Sequence, residues 1–324
     1  MTIERAFVSY VVPAFNEASI IKPHLHELYD YISSLRAGPF EIIVVDDGSS
    51  DETGILADAF AAAHPGVEVE HHLENRGLTA ALRTGFARAR GDIVLALDLD
   101  LSYAPYHIAL MLRALQQTNA AIVLASPYMR GGKVADVPWM RRELSVWANR
   151  YLAIAAGGSV ATSTCMVRGY NTAAMRKLRC SGEDLDFNHR MLFAALRQGM
   201  SVVEVPARLQ WRRSASGDRR RWRPSTATIS HAWSVIATGL RYRPSMLLAI
   251  PGLLPGLLPA VAALLVLTHW PVRIAAEVTG GVIAVQILSM AFAAALAGGS
   301  FYRLRMPAPA SPSQLPESRT EYSA

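Results

Sequence analysis

Cysteine is nearly absent: Cys165 and Cys180 are the only two in 324 residues. They form neither a disulfide framework nor a metal-ligand spacing, which excludes a cysteine-stapled secreted scaffold and fits a reducing compartment. A basic n-region ahead of a leucine-rich core is also missing. "MTIERAFVSYVVP" runs directly into a short strand pattern, so no signal peptide is expected and the first ~240 residues are expected to stay in the cytosol. The first strand is not followed by GxGxxG. "PAFNEAS" stands there instead, which argues against a nicotinamide dinucleotide enzyme. Acids are scarce in one place. Between Arg208 and Arg243, Asp218 alone opposes Arg212, Arg213, Arg219, Arg220, Arg221, Arg223 and Arg241.

Charge is missing altogether from residues 246–267, "MLLAIPGLLPGLLPAVAALLVL", and from 278–302, "VTGGVIAVQILSMAFAAALAGGSFY". Each run is long enough to span a bilayer core of about 30 Å at ~1.5 Å per residue. The arginines lie just before the first run, Arg303 and Arg305 follow the second, and the link "THWPVRIAAE" is nearly balanced. The positive-inside rule then places both chain ends in the cytoplasm and the catalytic part at an inner membrane face. Juxtamembrane arginines favour anionic headgroups or phosphorylated substrates over nucleic acid. Pro251, Pro255 and Pro259 recur along the first run, which predicts bent helices in close contact and a possible route to homo-oligomers through them. Within 225–240, Ile229, Trp233, Ile236 and Leu240 recur at helical intervals between arginines, as in a helix lying in a membrane interface. The Pro/Ser-rich residues after Met306 predict a disordered tail.

What is present over the first ~125 residues is an alternation of short apolar strands with amphipathic helical stretches, which predicts a parallel sheet with helices on both faces. Strands are expected at 7–12, 41–47, 67–72, 92–98, 121–126 and 201–206, with 138–200 mixed and mainly helical. Ligands in such sheets gather beyond the strands' carboxyl ends. Pro13–Glu17, Asp46–Ser50 and Asp98–Ser102 all fall there. In "GDIVLALDLDLSY", Asp98 and Asp100 are two apart and so on one side of an extended chain, where they repel each other unless a cation or hydrogen-bond donors intervene.

Five pieces, in this order, resemble glycosyltransferase family 2, and within it the polyprenyl-phosphate glycosyltransferases of the dolichyl-phosphate mannosyltransferase type: "VVPAFNEAS", "IIVVDDGSSDET", "NRGLTAALRTGFARARGDIVLALDLDLS", "WMRRELSVWANR" and "VVEVPARLQWRRSASGDRR". The resemblance implies an α/β GT-A (Rossmann-like) catalytic domain over 1–222, an amphipathic segment over 223–244, a two-helix transmembrane hairpin over 245–302 and a tail over 303–324. It implies a nucleoside diphosphate sugar donor, GDP- or UDP-linked, and a polyprenyl phosphate acceptor. Pro13, Phe15 and Glu17 would line the nucleoside pocket, and Val45, Asp46 and Asp47 would hold base and ribose. Asp98 and Asp100 would carry Mg²⁺ or Mn²⁺ at the diphosphate, with Leu99 and Ser102 completing the donor site. Arg212 or Arg213, with Arg219 or Arg220, would grip the diphosphate and the lipid phosphate, since guanidinium forks suit phosphate oxygens.

Two departures touch acceptor handling and sugar identity: "ASPY" puts Pro127 where relatives often have an arginine, and "VATSTCMVRGY" replaces a Thr-Ser-Gly-Phe pattern. The expected reaction is inverting transfer of one hexose, mannose or glucose, to polyprenyl phosphate. An ionised phosphate nucleophile needs no strong general base, whereas a sugar hydroxyl does. Glu183-Asp184 is therefore the discriminating feature, because Asp184 acting as a base would mean a glycolipid hydroxyl as acceptor. A non-catalytic nucleotide-sugar-binding membrane partner is the reading from another class.

Overall fold

The structure is a computed structural model. It describes residues 6–178, 187–211 and 226–249, and further along 280–281, 283–291 and 294–295. The chain divides into two compact units, 1–156 with 160–246, and 157–159 with 247–324.

In the first unit, strands rich in β-branched residues alternate with helices as expected: β1 (Val8–Ala14), α1 (Ile21–Leu35), β2 (Phe40–Asp46), α2 (Thr53–Ala63), β3 (Val67–His71), α3 (Leu78–Arg88), β4 (Ile93–Ala96), α4 (Tyr106–Thr118) and β5 (Ile122–Ser126). There follow β6 (Lys133–Ala135), α5 (Trp139–Ala155), β7 (Arg168–Asn171), α6 (Thr172–Lys177), α7 (Phe187–Arg197), β8 (Val202–Pro206), β9 (Arg208–Gln210) and α8 (Thr226–Tyr242). Helix α1 shows the logic of the pattern: Ile21, Leu25, Leu28 and Ile32 recur on one face and are all buried. On β2, Ile42 and Val44 pack into the main core with α1 and α2, while Ile43 and Val45 turn the other way toward Ala81 of α3. Helices thus cover both sheet faces.

The main sheet has the order β3-β2-β1-β4-β7-β5-β8. Strands β1 to β4 pair in parallel as the alternation over the first ~125 residues predicts, whereas β7, from the stretch expected to be mainly helical, runs antiparallel to both β4 and β5. The strand reads "RGYN", which carries none of the aliphatic continuity that marks its neighbours, and the chain reaches it only after the α5 excursion. The parallel pair β6–β9 forms a second, smaller sheet. With three residues each, these strands are too short to display a period.

Helix α8 packs on α5 through Val235, which joins Ala148, Leu152 and Phe193 in a satellite core. Tyr151 Oη donates to the Ile236 carbonyl at 2.9 Å, and Gly239 leaves room for the Tyr151 ring, which a Cβ there would strike. The packed face is rotated away from the stripe expected at this helix. Trp233 remains 71% exposed, and Ile236 and Leu240 are half-buried.

In the second unit, the helical residues 283–291 leave Ile283, Val285, Ile287, Leu288 and Met290 exposed and bury Gln286 and Ser289. Among the described residues no helix is long and apolar enough to cross a membrane. Most of the expected spans over 246–267 and 278–302, and the tail, lie outside the described residues.

Arg168 at the start of β7 is fully buried. Its guanidinium donates to three backbone carbonyls, those of Cys165 (2.8 Å), Asn188 (2.6 Å) and Ser163 (2.5 Å). Arg168→Met would strand these acceptors at about 1 kcal/mol each, so a loss of about 3 kcal/mol in urea unfolding is expected.

Candidate active site

The chain leaves β1 toward β2 and β3 on one side and later returns to β4 on the other. The gap above β1 and β4 is therefore a topological switch point, where loops diverge and leave a crevice. A cleft of about 340 Å³ opens there, lined by residues from both loops and from α3.

The two loops beyond β1 and β2 are laced together. Asn16, at φ 54°, donates its backbone N–H to Ser49 Oγ (3.0 Å) and accepts from Ser50 N through its Oδ1 (2.8 Å). Glu17 N donates to Thr53 Oγ1 (2.8 Å), and Ala18 N to Asp51 Oδ2 (3.2 Å). Gly48, at φ 69°, makes the tight turn, and a side chain there would collide with the backbone of Glu74 and Asn75.

Strand β4 stops at Ala96, so the two aspartates do not lie on extended chain as expected. They sit on a turn closed by Leu101 N to the Asp98 carbonyl (3.3 Å), with Leu101 at φ 50°. Leu99 and Leu101 are buried and pin the turn, and the Leu99 carbonyl meets His24 Nδ1 at 3.0 Å. Ser102 grips Asp100 from behind, its N–H on Oδ1 (2.9 Å) and its Oγ on Oδ2 (2.6 Å).

Three acids share this cleft. Burial, then repulsion from Asp100 and Glu17, raises the Asp98 carboxyl to about 8. Burial and Asp100 raise Glu17 to about 7, against a hydrogen bond from the Phe15 backbone that lowers it. This donor set fits a hard divalent cation, which relieves the repulsion and takes oxygen ligands. Among the described residues no group of three or more His, Cys, Asp or Glu side chains could enclose a metal by itself. That suits Mg²⁺-type sites, where one or two carboxylates are joined by substrate phosphates and water.

Opposite the acids, Asp47 accepts from Arg76 N (3.0 Å), Gly77 N (2.7 Å) and His72 Nδ1 (2.6 Å), which fixes the wall formed by Asn75, Gly77 and Leu78. Met166 closes another side. Its loop is held by buried polar groups: Asn149 Oδ1 accepts from Ser163 N (2.7 Å) and Thr164 N (3.0 Å), and Glu204 accepts from Ala161 N (2.7 Å) and Thr162 N (2.8 Å). Burial raises the Glu204 carboxyl, while the Ala161 and Thr162 N–H groups work against it.

Of the residues singled out from sequence, Pro13, Phe15, Glu17, Asp47, Asp98, Leu99 and Asp100 line one cleft. Val45 is fully buried beneath it. Asp46 bonds Ser49 N (3.1 Å) and His71 Nδ1 (3.1 Å) and does not line the cleft, while Ser102 stands behind Asp100. Asp184, Arg212, Arg213, Arg219 and Arg220 lie outside the described residues. Sequence reasoning missed Asn75, Leu78 and Met166, which carry no chemistry of their own, and Arg141 of α5. The electrostatic reach of Asp100 and Tyr128 to Arg141 acts to raise its pKa, yet burial outweighs them and lowers it. The only advance sign of Arg141 was its place in "WMRRELSVWANR".

A crevice with acids at the switch point of an open α/β sheet is where such folds bind a ligand. The pattern of "Glycosyl transferase family 2" matches residues 9–179; the chain belongs to this family and is a glycosyltransferase. It is 33% identical over 206 residues to the polyprenol monophosphomannose synthase of Mycolicibacterium smegmatis, covering 60% of this chain and 74% of that one. It is 32% identical over 203 residues to the dolichol-phosphate mannosyltransferase of Pyrococcus furiosus (61% of this chain, 55% of that one). The undecaprenyl-phosphate mannosyltransferase of Micrococcus luteus is 30% identical over 202 residues (60% and 80%). Glucosyl-3-phosphoglycerate synthase from Mycobacterium tuberculosis, crystallised with Mn²⁺, UDP and glucosyl-3-phosphoglycerate, shares the fold with a TM-score of 0.53 at 22% identity (73% of this chain, 80% of that one).

Raised carboxyl pKa values favour the protonated acids, so the metal-free protein should lose stability progressively as pH rises from about 4 to about 8. Asp98→Asn should be more stable than the parent at pH 8, and the gap should close only as pH falls to about 4, where the unfolded carboxyl also takes up its proton, in denaturant melts. Mn²⁺ competes with protons for the same oxygens, so it should raise the melting temperature more at pH 8 than at pH 6.

Proposed function

We propose that the protein moves one hexose, mannose or glucose, from a GDP- or UDP-linked donor to a polyprenyl phosphate at the cytoplasmic face of a membrane. The observation that carries this reading is the convergence of Phe15, Asp47, Asp98 and Asp100 on one cleft at the switch point. Phe15, 43% exposed at the rim, offers an apolar face to the base, and the Asp47 wall takes the nucleoside. Asp98 and Asp100 would hold Mg²⁺ or Mn²⁺, and the ion, when bound, offsets the negative charge of the departing diphosphate. Arg141, within electrostatic reach of Asp100, supplies positive charge to a phosphate.

The acceptor is inferred from the relatives' names. A phosphate oxygen of the lipid attacks the anomeric carbon opposite the leaving group. The new O–C bond forms as the sugar–diphosphate bond breaks, and the nucleoside diphosphate leaves with the electron pair. No proton has to be removed from an ionised phosphate, so no general base is needed. The competing reading, a hydroxyl acceptor deprotonated by Asp184, concerns a residue outside the described part.

Support for the membrane comes from the surface. Helix α5 leaves Trp139, Met140, Leu144 and Trp147 exposed, and α8 leaves Trp233 exposed, with Arg142 and Arg150 interspersed on α5. Such a mixture suits a headgroup boundary. In 283–291 the apolar side chains face outward and Gln286 and Ser289 inward, the inverse of a water-facing helix and the pattern of one bathed in lipid.

The test is incubation of membranes with radiolabelled GDP- and UDP-sugars and polyprenyl phosphate. Label should enter a lipid that mild acid cleaves, and Asp100→Asn should lower transfer about 10³-fold with expression intact. Undiminished transfer by that variant would remove Asp100 from the reaction, and base-resistant, acid-stable product would point to a hydroxyl acceptor.

A further inference from the structure

Arg141 lies with its guanidinium carbon 3.9 Å over the ring centroid of Trp211. Among the described residues it forms no ion pair with a carboxylate, whereas its neighbour Arg142 reaches Glu143 at 3.9 Å. Trp211 is itself firmly placed. Its backbone N–H donates to the Ala135 carbonyl at 3.1 Å, and the preceding β9 pairs in register with β6. Gln210 N donates to the Ser102 carbonyl at 2.9 Å, and Leu209 bridges Tyr103. Ser102 is the residue that holds both oxygens of Asp100. One short segment, 208–211, is therefore bonded to the acidic turn along its backbone and presents an aromatic face to the arginine.

A carboxylate partner would occupy the guanidinium fork and cancel its charge. An aromatic face attracts the cation through the ring quadrupole and leaves the five N–H donors, which lie in the guanidinium plane, free for phosphate oxygens. It also restricts a long side chain that otherwise loses much rotamer freedom on binding. We propose that Trp211 is a positioning residue, holding Arg141 beside the acidic turn with its donors free to receive a phosphate. This rests on the reading that phosphates gather at Asp98 and Asp100. The chemistry serves the donor's diphosphate and the acceptor's phosphate alike, and the kinetics distinguish them.

Trp211→Leu, Trp211→Phe, Arg141→Gln and the double variant Trp211→Leu/Arg141→Gln are compared as full-length protein in detergent. In the transfer assay, Trp211→Leu should raise KM about fivefold for one phosphate substrate, with kcat within about twofold, and Trp211→Phe should restore most of the loss. A rise confined to the nucleotide sugar assigns the diphosphate; one confined to the polyprenyl phosphate assigns the lipid. In the Arg141→Gln background, Trp211→Leu should add nothing. An unchanged KM in Trp211→Leu, an equal effect in both backgrounds, or a Trp211→Phe as impaired as Trp211→Leu overturns the proposal. The same four proteins form a thermal-melt cycle that needs no turnover. A non-additive shift of about 2 °C supports the contact, and strict additivity overturns it. Absence of transfer by the parent protein, with that non-additivity intact, would sink the functional reading and leave the Trp211–Arg141 pair standing.

Discussion

The burial of Glu17 and Asp98 beside the charge of Asp100 is the constraint around which the site is arranged. Each acid is placed by a different device: Glu17 by the lacing of the first two loops, Asp98 by a tight turn, Asp100 by the grip of Ser102. Burial, and then the charge of Asp100, push the carboxyls of Glu17 and Asp98 toward protonation, and two non-glycine residues nearby, Asn16 and Leu101, hold left-handed backbone. Such conformations persist only where surrounding bonds over-determine them. A cation or a row of donors relieves the repulsion, and a nucleoside diphosphate brings its own oxygens to the same cation.

Behind the cleft stands a layer of buried polar groups that gives loops the rigidity of regular elements. Arg168, Asn149 and Glu204 together satisfy backbone donors and acceptors along 161–165. Asp46 and Asp47 do the same for the turns beyond β2 and β3, with His71 and His72 as partners. In a low-dielectric interior, satisfied networks of this kind stiffen the backbone, and unsatisfied ones are costly. The residues that face the cleft are thus held by groups that never touch it, as a preorganised site requires.

Much of this was legible beforehand, for a local reason. Each chemistry-bearing motif directly follows an aliphatic strand, so "VVPAFNE", "IIVVDDGS" and "DIVLALDLD" announce both the strand and the loop at its carboxyl end. The parallel core, the helices α1 to α3 and the meeting of Phe15, Asp47 and Asp100 came from that periodicity together with the rule that ligands sit beyond strand ends. Strand β7 was not legible, since Arg168-Gly169-Tyr170-Asn171 has no apolar repeat and owes its pairing to β4 and β5. Nor were β6 and β9, which exist only as each other's partner.

The amino-acid order alone therefore determined that the aliphatic runs are strands, where the acids stand along the chain and how charge and apolar length are distributed, because these depend on nearest neighbours and on period. Tertiary structure alone decided that Asp46 turns away while Asp47 faces the cleft wall, that Met166 reaches the site from a distant loop, and that Trp211 lies under Arg141. Those contacts join residues remote in sequence, and they depend on chain direction and packing geometry that no local pattern records.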